Sequence, residues 1–139
     1  MKFQSMTISF ALLTLVGCKN IFEDNDLTLD GSAPYSEVEF PKKNNVYKAT
    51  EPFRLGVGYS DKDNVEELEV TISQVSGDET SRETTKNVIA FKQHPNKKMF
   101  NLDTTFVANT FTAGKYKAVI KAMDTRKNVG TQEVVFSIK

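Results

Sequence analysis

Large apolar residues alternate with small, charged or polar ones in residues 53–60, which read Phe-Arg-Leu-Gly-Val-Gly-Tyr-Ser. An alternation with a period of two residues is typical of a β-strand with one face in the core and one face outside. We therefore expect Phe53 and Tyr59 to point into the core. Gly56 and Gly58 then lie on the outward face, where they leave room for a ligand or a partner unless neighbouring side chains cover them.

The same period of two recurs along the rest of the chain. Asp61-Lys62-Asp63-Asn64 and His94-Pro95-Asn96 separate the alternating segments and are typical of turns, and Pro41 ends or bends the first segment. The expected strands are residues 38–40, 53–60, 65–72, 88–91, 100–106, 115–122 and 134–138. Seven short strands in a domain of this size predict an all-β fold, an antiparallel β-sandwich of two sheets.

A family resemblance enters at residues 114–124, which read Gly-Lys-Tyr-Lys-Ala-Val-Ile-Lys-Ala-Met-Asp. This segment resembles the penultimate strand of immunoglobulin-like domains in bacterial envelope proteins, although Lys127 stands where their following turn usually has glycine. The chain is similar to the immunoglobulin-like lipoproteins of unknown function from Bacteroidetes-type bacteria. The resemblance covers most of residues 35–139. It implies an immunoglobulin-like sandwich in which the hydroxyl of Tyr116 bonds to upstream backbone.

The first residues have the pattern of a secretory signal peptide. A short apolar run follows Lys2 and ends at Gly17, directly before Cys18, the only cysteine of the chain. The run is too short to span a bilayer, which needs about 20 apolar residues. Its end resembles the lipobox of bacterial lipoproteins, and that resemblance implies cleavage before Cys18 and attachment of acyl chains such as palmitate.

These features divide the chain into three parts. Residues 1–17 are the expected lipoprotein signal peptide, 18–34 the lipidated cysteine with a flexible acidic tether, and 35–139 the immunoglobulin-like domain. Lys19 stands where the best-known sorting rule has an inner-membrane Asp. We therefore expect the outer membrane, with the cell surface and the periplasmic face both left open.

The charge balance bears on the partners. Without Lys2 the chain carries 17 basic and 18 acidic side chains, so no field of one sign attracts nucleic acid. Five basic residues form an expected binding patch at one end of the sandwich. They are Lys92, Lys97, Lys98, Arg126 and Lys127.

The same end carries a candidate calcium site. Asp61, Asp63, Asp124 and Asn128 lie in loops that a seven-stranded sandwich brings together, and Ca²⁺ prefers oxygen ligands of this kind. Asp and Asn are also the ordinary residues of turns, and basic residues in the same loops oppose a cation. The two interpretations stay open at this point.

Catalytic signatures do not emerge from the sequence. The single histidine, His94, lies in a basic turn, and adjacent Glu66 and Glu67 point to opposite faces of a strand. We therefore expect no enzyme, no catalytic residue and no cofactor other than the candidate calcium ion. The expected function is a lipid-anchored adhesion or scaffold module that binds an envelope protein or a glycan. The alternative is a calcium-dependent or small-ligand (glycan) binding protein that uses the loop end.

Overall fold

The computed structural model describes residues 31–76 and 84–139, and Cys18 with most of the expected tether lies outside these ranges. The described residues form seven strands and no helix. The strands are β1 (Tyr35–Phe40), β2 (Val46–Tyr47), β3 (Phe53–Ser76), β4 (Thr84–Gln93), β5 (Lys97–Phe106), β6 (Gly114–Asp124) and β7 (Val129–Ile138). The all-β prediction is confirmed.

Strand β3 belongs to two sheets, which together form the sandwich. Its residues 53–60 pair with β1 on one side and with β5 on the other, which makes a three-stranded sheet. Its residues 65–76 pair with β4 and β6, and the five-stranded sheet continues through β7 to β2. The result is an immunoglobulin-like β-sandwich, as the sequence predicts.

The predicted turn at Asp61-Lys62-Asp63-Asn64 is wrong. The chain stays extended there, and the pairing register shifts between Ser60 and Val65 as β3 passes from one sheet to the other. The Asp61 carboxylate accepts a hydrogen bond of 2.7 Å from the backbone N–H of Lys62. The aspartate thus stabilises a local irregularity in a continuing strand. No chain reversal is needed there, because β3 passes directly from one sheet of the sandwich to the other.

Two further details differ from the prediction. Strand β2 has only two residues, too few to show a period, and it pairs with β7 in parallel, so the sandwich is not purely antiparallel. Strand β4 begins at Thr84 and not at residue 88, because its polar first half pairs with residues 73–76 of β3. Strand β1 ends at Phe40, before Pro41, as expected.

The core consists of the inward faces of both sheets. Phe53 stacks on Phe136 with ring centroids 5.1 Å apart and meets the edge of Phe111 at 4.9 Å. Fully burying a side chain of this size contributes about 1.5–3 kcal/mol. Leu55, Val57, Tyr59, Val65, Leu68, Val70, Ile72, Leu102, Tyr116, Ala118, Ile120, Ala122 and Ile138 complete the buried apolar set.

Two features of the family resemblance can be read from the structure. The buried hydroxyl of Tyr116 donates a hydrogen bond of 2.8 Å to the backbone carbonyl of Thr112, which confirms the predicted tyrosine corner. Lys127 has a φ of 70°, in the left-handed region that favours glycine. Lys127 therefore adopts the backbone conformation that glycine usually provides at this turn in the similar domains.

Candidate functional site

The loops that carry the predicted site residues meet at one end of the sandwich, as expected. The side chain of Asn64 in β3 lies 3.4 Å from that of Asn96, in the turn between β4 and β5. Its backbone carbonyl accepts a hydrogen bond of 3.0 Å from the N–H of Thr125, in the turn between β6 and β7. This region is called the loop end below.

Asp124 organises the turn between β6 and β7. Its buried carboxylate accepts three hydrogen bonds of 2.8 Å, from the backbone N–H groups of Arg126 and Asn128 and from the Asn128 side-chain amide. Burial alone raises the pKa of Asp124, but the hydrogen bonds outweigh burial and hold that pKa below its usual range. All its bonding partners belong to the turn, so its role there is structural.

Asp61 and Asp63 are less well satisfied than Asp124. Asp63 is 1% exposed, and the Arg126 Nε atom lies 3.1 Å from its Oδ2 without the alignment of a hydrogen bond, while its Oδ1 has no hydrogen-bond partner in the described chain. The Oδ2 atom of Asp61 is also buried without a partner there. Burial raises the pKa of Asp61, and the negative charges of Asp124 and Asp63 raise it further.

The predicted calcium ligands are therefore brought together but are used in different ways. Asp124 and the Asn128 amide nitrogen are engaged with each other, and Arg126 approaches Asp63. Within residues 31–76 and 84–139, no three acidic, histidine or cysteine side chains are grouped closely enough to hold a metal ion. The calcium site remains a prediction.

Carboxylates of β3 face much of the predicted basic patch. Lys92 Nζ lies 2.7 Å from Glu67 and 3.8 Å from Glu69, and Lys127 Nζ lies 2.5 Å from Glu66. Lys97 lies over the ring of Phe100 at 5.9 Å, and Lys98 borders a cavity next to Met99. The sequence shows the five cations but not their partners, because the register of β3 against β4 sets the Lys92 pairs and the packing of the β6–β7 turn on β3 sets the Lys127 pair. Arg126 is paired with Asp63, so three of the five cations, Lys92, Arg126 and Lys127, are paired with acidic groups.

His94 is exposed in its turn, as predicted, with its Nδ1 atom 3.2 Å from the backbone carbonyl of Glu66.

The outward face of the three-stranded sheet carries a furrow whose floor is Gly58 and Ser60. In the register of the sheet, Ser60 lies between Tyr35 of β1 and Met99 of β5, and Gly58 lies between Glu37 and Asn101. We call this feature the glycine furrow. A methyl group built on Gly58 would lie 3.1 Å from Asn101 Oδ1, a tight contact, so glycine leaves the floor more open than any larger residue would.

Side chains close the furrow at the other glycine of the same strand. Gly56 is buried, and a methyl group built on it would lie 3.5 Å from the Cβ of Glu39 and 3.6 Å from the ring of Phe40. Of the two possibilities that the sequence leaves open, coverage by neighbouring side chains is the one realised at Gly56. Glu39 and Phe40 cover it because the β1 register shifts between Val38 and Phe40.

An ion pair stands at this closed end. The Arg54 guanidinium donates two hydrogen bonds to the Asp103 carboxylate, of 2.9 and 2.7 Å, and stacks over Phe40 with its carbon 4.7 Å from the ring centre. The hydrogen bonds from Arg54 hold the pKa of Asp103 below its usual range. This two-pronged pair fixes the end of the furrow geometrically.

The open end of the furrow widens toward the start of the domain. A cavity of about 200 Å³ lies over Gly58, between the Glu37 and Asn101 rows. It shares Tyr35, Ser60 and Met99 with a larger cavity of about 430 Å³, which is also bordered by Ser32, Ala33, Asp61, Lys62 and Lys98. Tyr35 is 62% exposed and Met99 72%, so both walls are accessible. The sequence leaves open whether side chains cover Gly58, and it gives no sign of the walls.

The described residues contain no helix that is long and apolar enough to cross a membrane. The predicted lipid attachment at Cys18 lies outside the described residues.

No protein-family model and no curated protein sequence matches the chain. Solved structures do share its fold. A structure of the fibronectin(III)-like modules of CbhA from Clostridium thermocellum matches with a TM-score of 0.48 and 9% identity over 76% of this chain and 96% of that one. Wild-type OgpA from Akkermansia muciniphila matches with a TM-score of 0.50 and 12% identity, over 79% of this chain and 30% of OgpA.

An uncharacterized protein from Bacillus anthracis matches with a TM-score of 0.44 and 16% identity, over 70% of this chain and 84% of that one. At these identities the likeness concerns the fold alone. The strand pairing defines the chain as an immunoglobulin-like β-sandwich. The resemblance to immunoglobulin-like lipoproteins of Bacteroidetes-type bacteria stays a prediction.

Proposed function

We propose that this protein is a non-catalytic binding module of the bacterial cell envelope, held in the outer membrane by acyl chains on Cys18. The observation that carries the binding role is the glycine furrow. It combines an open floor at Gly58, two accessible apolar walls and polar side chains on a rigid sheet. Convergent polar groups in a concave, partly apolar site are typical of ligand-binding surfaces.

The junction between tether and domain is compatible with such an anchor. Pro34 is buried, and its carbonyl oxygen would lie 1.9 Å from a methyl group built on Gly130 of β7. The chain therefore joins the sandwich at a fixed point beside the wide end of the furrow. The 16 residues 19–34 could reach at most about 55 Å when fully extended, so the ligand is bound near the membrane surface.

The chemistry of the furrow supports binding without bond-making. Its side chains are carboxylates, an amide, a phenol, a thioether and the Ser60 hydroxyl, and no histidine borders the furrow to activate that hydroxyl. The single histidine lies at the loop end against a backbone carbonyl, away from these groups. An interaction role needs only shape and hydrogen-bonding groups, which the furrow supplies.

Capture from native envelopes tests this proposal. The full-length protein with a C-terminal tag is expressed in its own host, crosslinked and recovered from the membrane fraction. Gly58→Gln fills the furrow, and Thr71→Gln places the same side chain on the outward face of the five-stranded sheet as a matched control. We expect a specific envelope component with the wild type and with Thr71→Gln, and its loss with Gly58→Gln.

Two outcomes would overturn the proposal. In the first, the protein is recovered only from the soluble fraction, which removes the membrane anchor. In the second, the wild type, Gly58→Gln and Thr71→Gln all recover only the material that is also recovered from cells without a tagged protein, which removes the binding role.

A second candidate is calcium-dependent binding at the loop end. The observation that favours it is that the buried Asp63 Oδ1 and Asp61 Oδ2 both have no hydrogen-bond partner in the described chain. If Ca²⁺ binds there, titration with calcium chloride releases heat and raises the melting temperature, and Asp63→Asn abolishes both effects. A titration without heat and without a change in melting temperature removes this candidate.

A further inference from the structure

We infer that the glycine furrow binds a neutral oligosaccharide, a ligand class that rests on the binding function proposed above. The furrow lies on the face of the three-stranded sheet and not at its edge. Residues 53–60 of β3 are paired with β1 on one side and β5 on the other, so their backbone groups are already used in the ladder. Recognition must therefore come from side chains, which argues against a peptide added as an extra strand.

The dimensions of the furrow suit one extended sugar chain. Its walls, β1 and β5, are separated by two strand spacings, about 10 Å between backbones. From Gly58 through the wide cavity to Lys62 the furrow follows four residue spacings of β3, which correspond to about 13 Å. The slot is closed at Gly56 by Glu39 and Phe40 and open toward Ser32 and Ala33, so a chain would enter from one end.

The two walls at Ser60 are apolar and accessible. Tyr35 and Met99 lie on opposite sides of Ser60 in the register, with 62% and 72% of their surface exposed. An aromatic ring with a polar edge offers a flat apolar surface to the C–H face of a sugar ring while its hydroxyl remains in water. The flexible thioether can adapt to the opposite face.

Polar side chains flank the furrow at Gly58, two residues before Ser60 in β3. The side chains of Glu37 and Asn101 flank Gly58, and both are exposed and make no hydrogen bond within the described chain. A carboxylate accepts hydrogen bonds from two neighbouring hydroxyls, and an amide both donates and accepts. A ligand rich in hydroxyl groups satisfies both side chains at once, and bonds to the charged carboxylate are the stronger ones.

The charges select a neutral ligand. Glu37 and Glu39 add two negative charges around Gly58, and Arg54, the cation beside them, is bonded to Asp103. The wide cavity adds Lys62 and Lys98 beside Asp61, so the furrow as a whole carries no net positive charge. Phosphate, sulfate or uronic acid groups bound over Gly58 would be repelled by the carboxylates of Glu37 and Glu39. The observations thus favour a neutral glycan over an anionic polysaccharide or a nucleic acid.

Isothermal titration calorimetry with the mature full chain tests the inference. The probes are cellohexaose, xylohexaose, mannohexaose and maltohexaose. We expect at least one to bind, with affinity reduced about tenfold by Tyr35→Ala and by Asn101→Ala, a loss of about 1.4 kcal/mol for each contact removed. Gly58→Gln should abolish binding, and Thr71→Gln should bind like the wild type. Equal melting temperatures of all variants show that folding is intact.

The inference is overturned if none of the four hexasaccharides binds at about 1 mM, or if binding survives all furrow variants. Its failure can be told apart from failure of the proposed function. If the furrow-dependent envelope component is a protein, the binding module stands and the ligand class is wrong.

Discussion

Replacing Asp124 with alanine is expected to destabilise the sandwich strongly, although the residue lies at a strand end. The carboxylate is fully buried and accepts three hydrogen bonds of 2.8 Å from the turn that follows it. A hydrogen bond to a charged group contributes about 1.5–3 kcal/mol. Arg126 is exposed, so water can replace part of the hydrogen bond that its backbone N–H loses. We therefore expect the free energy of unfolding to fall by about 3 kcal/mol, less than the sum of three such hydrogen bonds.

Urea and thermal unfolding of the purified mature chain measure this loss. In a domain of about 100 residues, 1 kcal/mol shifts the melting temperature by about 4–8 °C, so a decrease of about 12–24 °C is expected. Asp124→Asn keeps one acceptor oxygen and should lose less. Glu133→Ala, on the exposed face of β7, is the control and should change nothing measurable. A loss below about 1 kcal/mol for Asp124→Ala would refute the reasoning.

The same carboxylate predicts a dependence on pH. Because hydrogen bonds lower the pKa of Asp124 in the folded chain against the opposing effect of burial, its contribution is complete above the unfolded value of about 3.9. It is lost as the pH falls through the folded pKa. The stability difference between wild type and Asp124→Ala should therefore be largest near neutral pH and shrink at acid pH. A difference that stays constant between about pH 6 and pH 2 contradicts the assigned hydrogen bonds.

Three further predictions concern the backbone and the anchor. Lys127→Gly should raise the free energy of unfolding by about 0.5–1 kcal/mol in urea titrations, because a φ of 70° strains lysine and not glycine; an unchanged or lower value would contradict this. Gly130→Ala should displace the segment around Pro34, cost about 1–3 kcal/mol and speed proteolysis there, because the added methyl group meets its carbonyl at 1.9 Å; wild-type cleavage would contradict the contact. Mass spectrometry of the native protein should find an N-terminal Cys18 that carries acyl chains, and a free thiol would exclude the lipid anchor.

Much of the fold can be predicted from the period of the sequence. Alternation at residues 53–60 and 115–122 assigns the inward faces correctly, because a half-buried strand must place every second side chain in the core. The tyrosine corner of Tyr116 follows from the resemblance in the same way. Asp61-Lys62-Asp63-Asn64 is different, because turn-forming residues also suit a bulge, and only the packing of the two sheets decides between a reversal and a crossing.

The candidate sites are harder to predict because they depend on register. Lys92 belongs to a basic run in the sequence, but its neighbours in space are Glu67 and Glu69 from β3. Likewise, Tyr35 and Met99 are far apart in the sequence and become opposite walls of one furrow only through their shared partner Ser60. Neither relation has a local signal, since strand pairing is set by the whole sandwich.

The claim that binding occurs on the outward face of the three-stranded sheet is tested most directly by nuclear magnetic resonance. Isotope-labelled mature chain is titrated with polysaccharide extracted from the envelope of its own host. We expect amide shifts to change in β1, around Gly58 and Ser60, and near Met99 and Asn101. Changes confined to the five-stranded sheet or to residues 124–128 would contradict binding at the furrow, and no changes at a saturating concentration of the extract would contradict a glycan ligand.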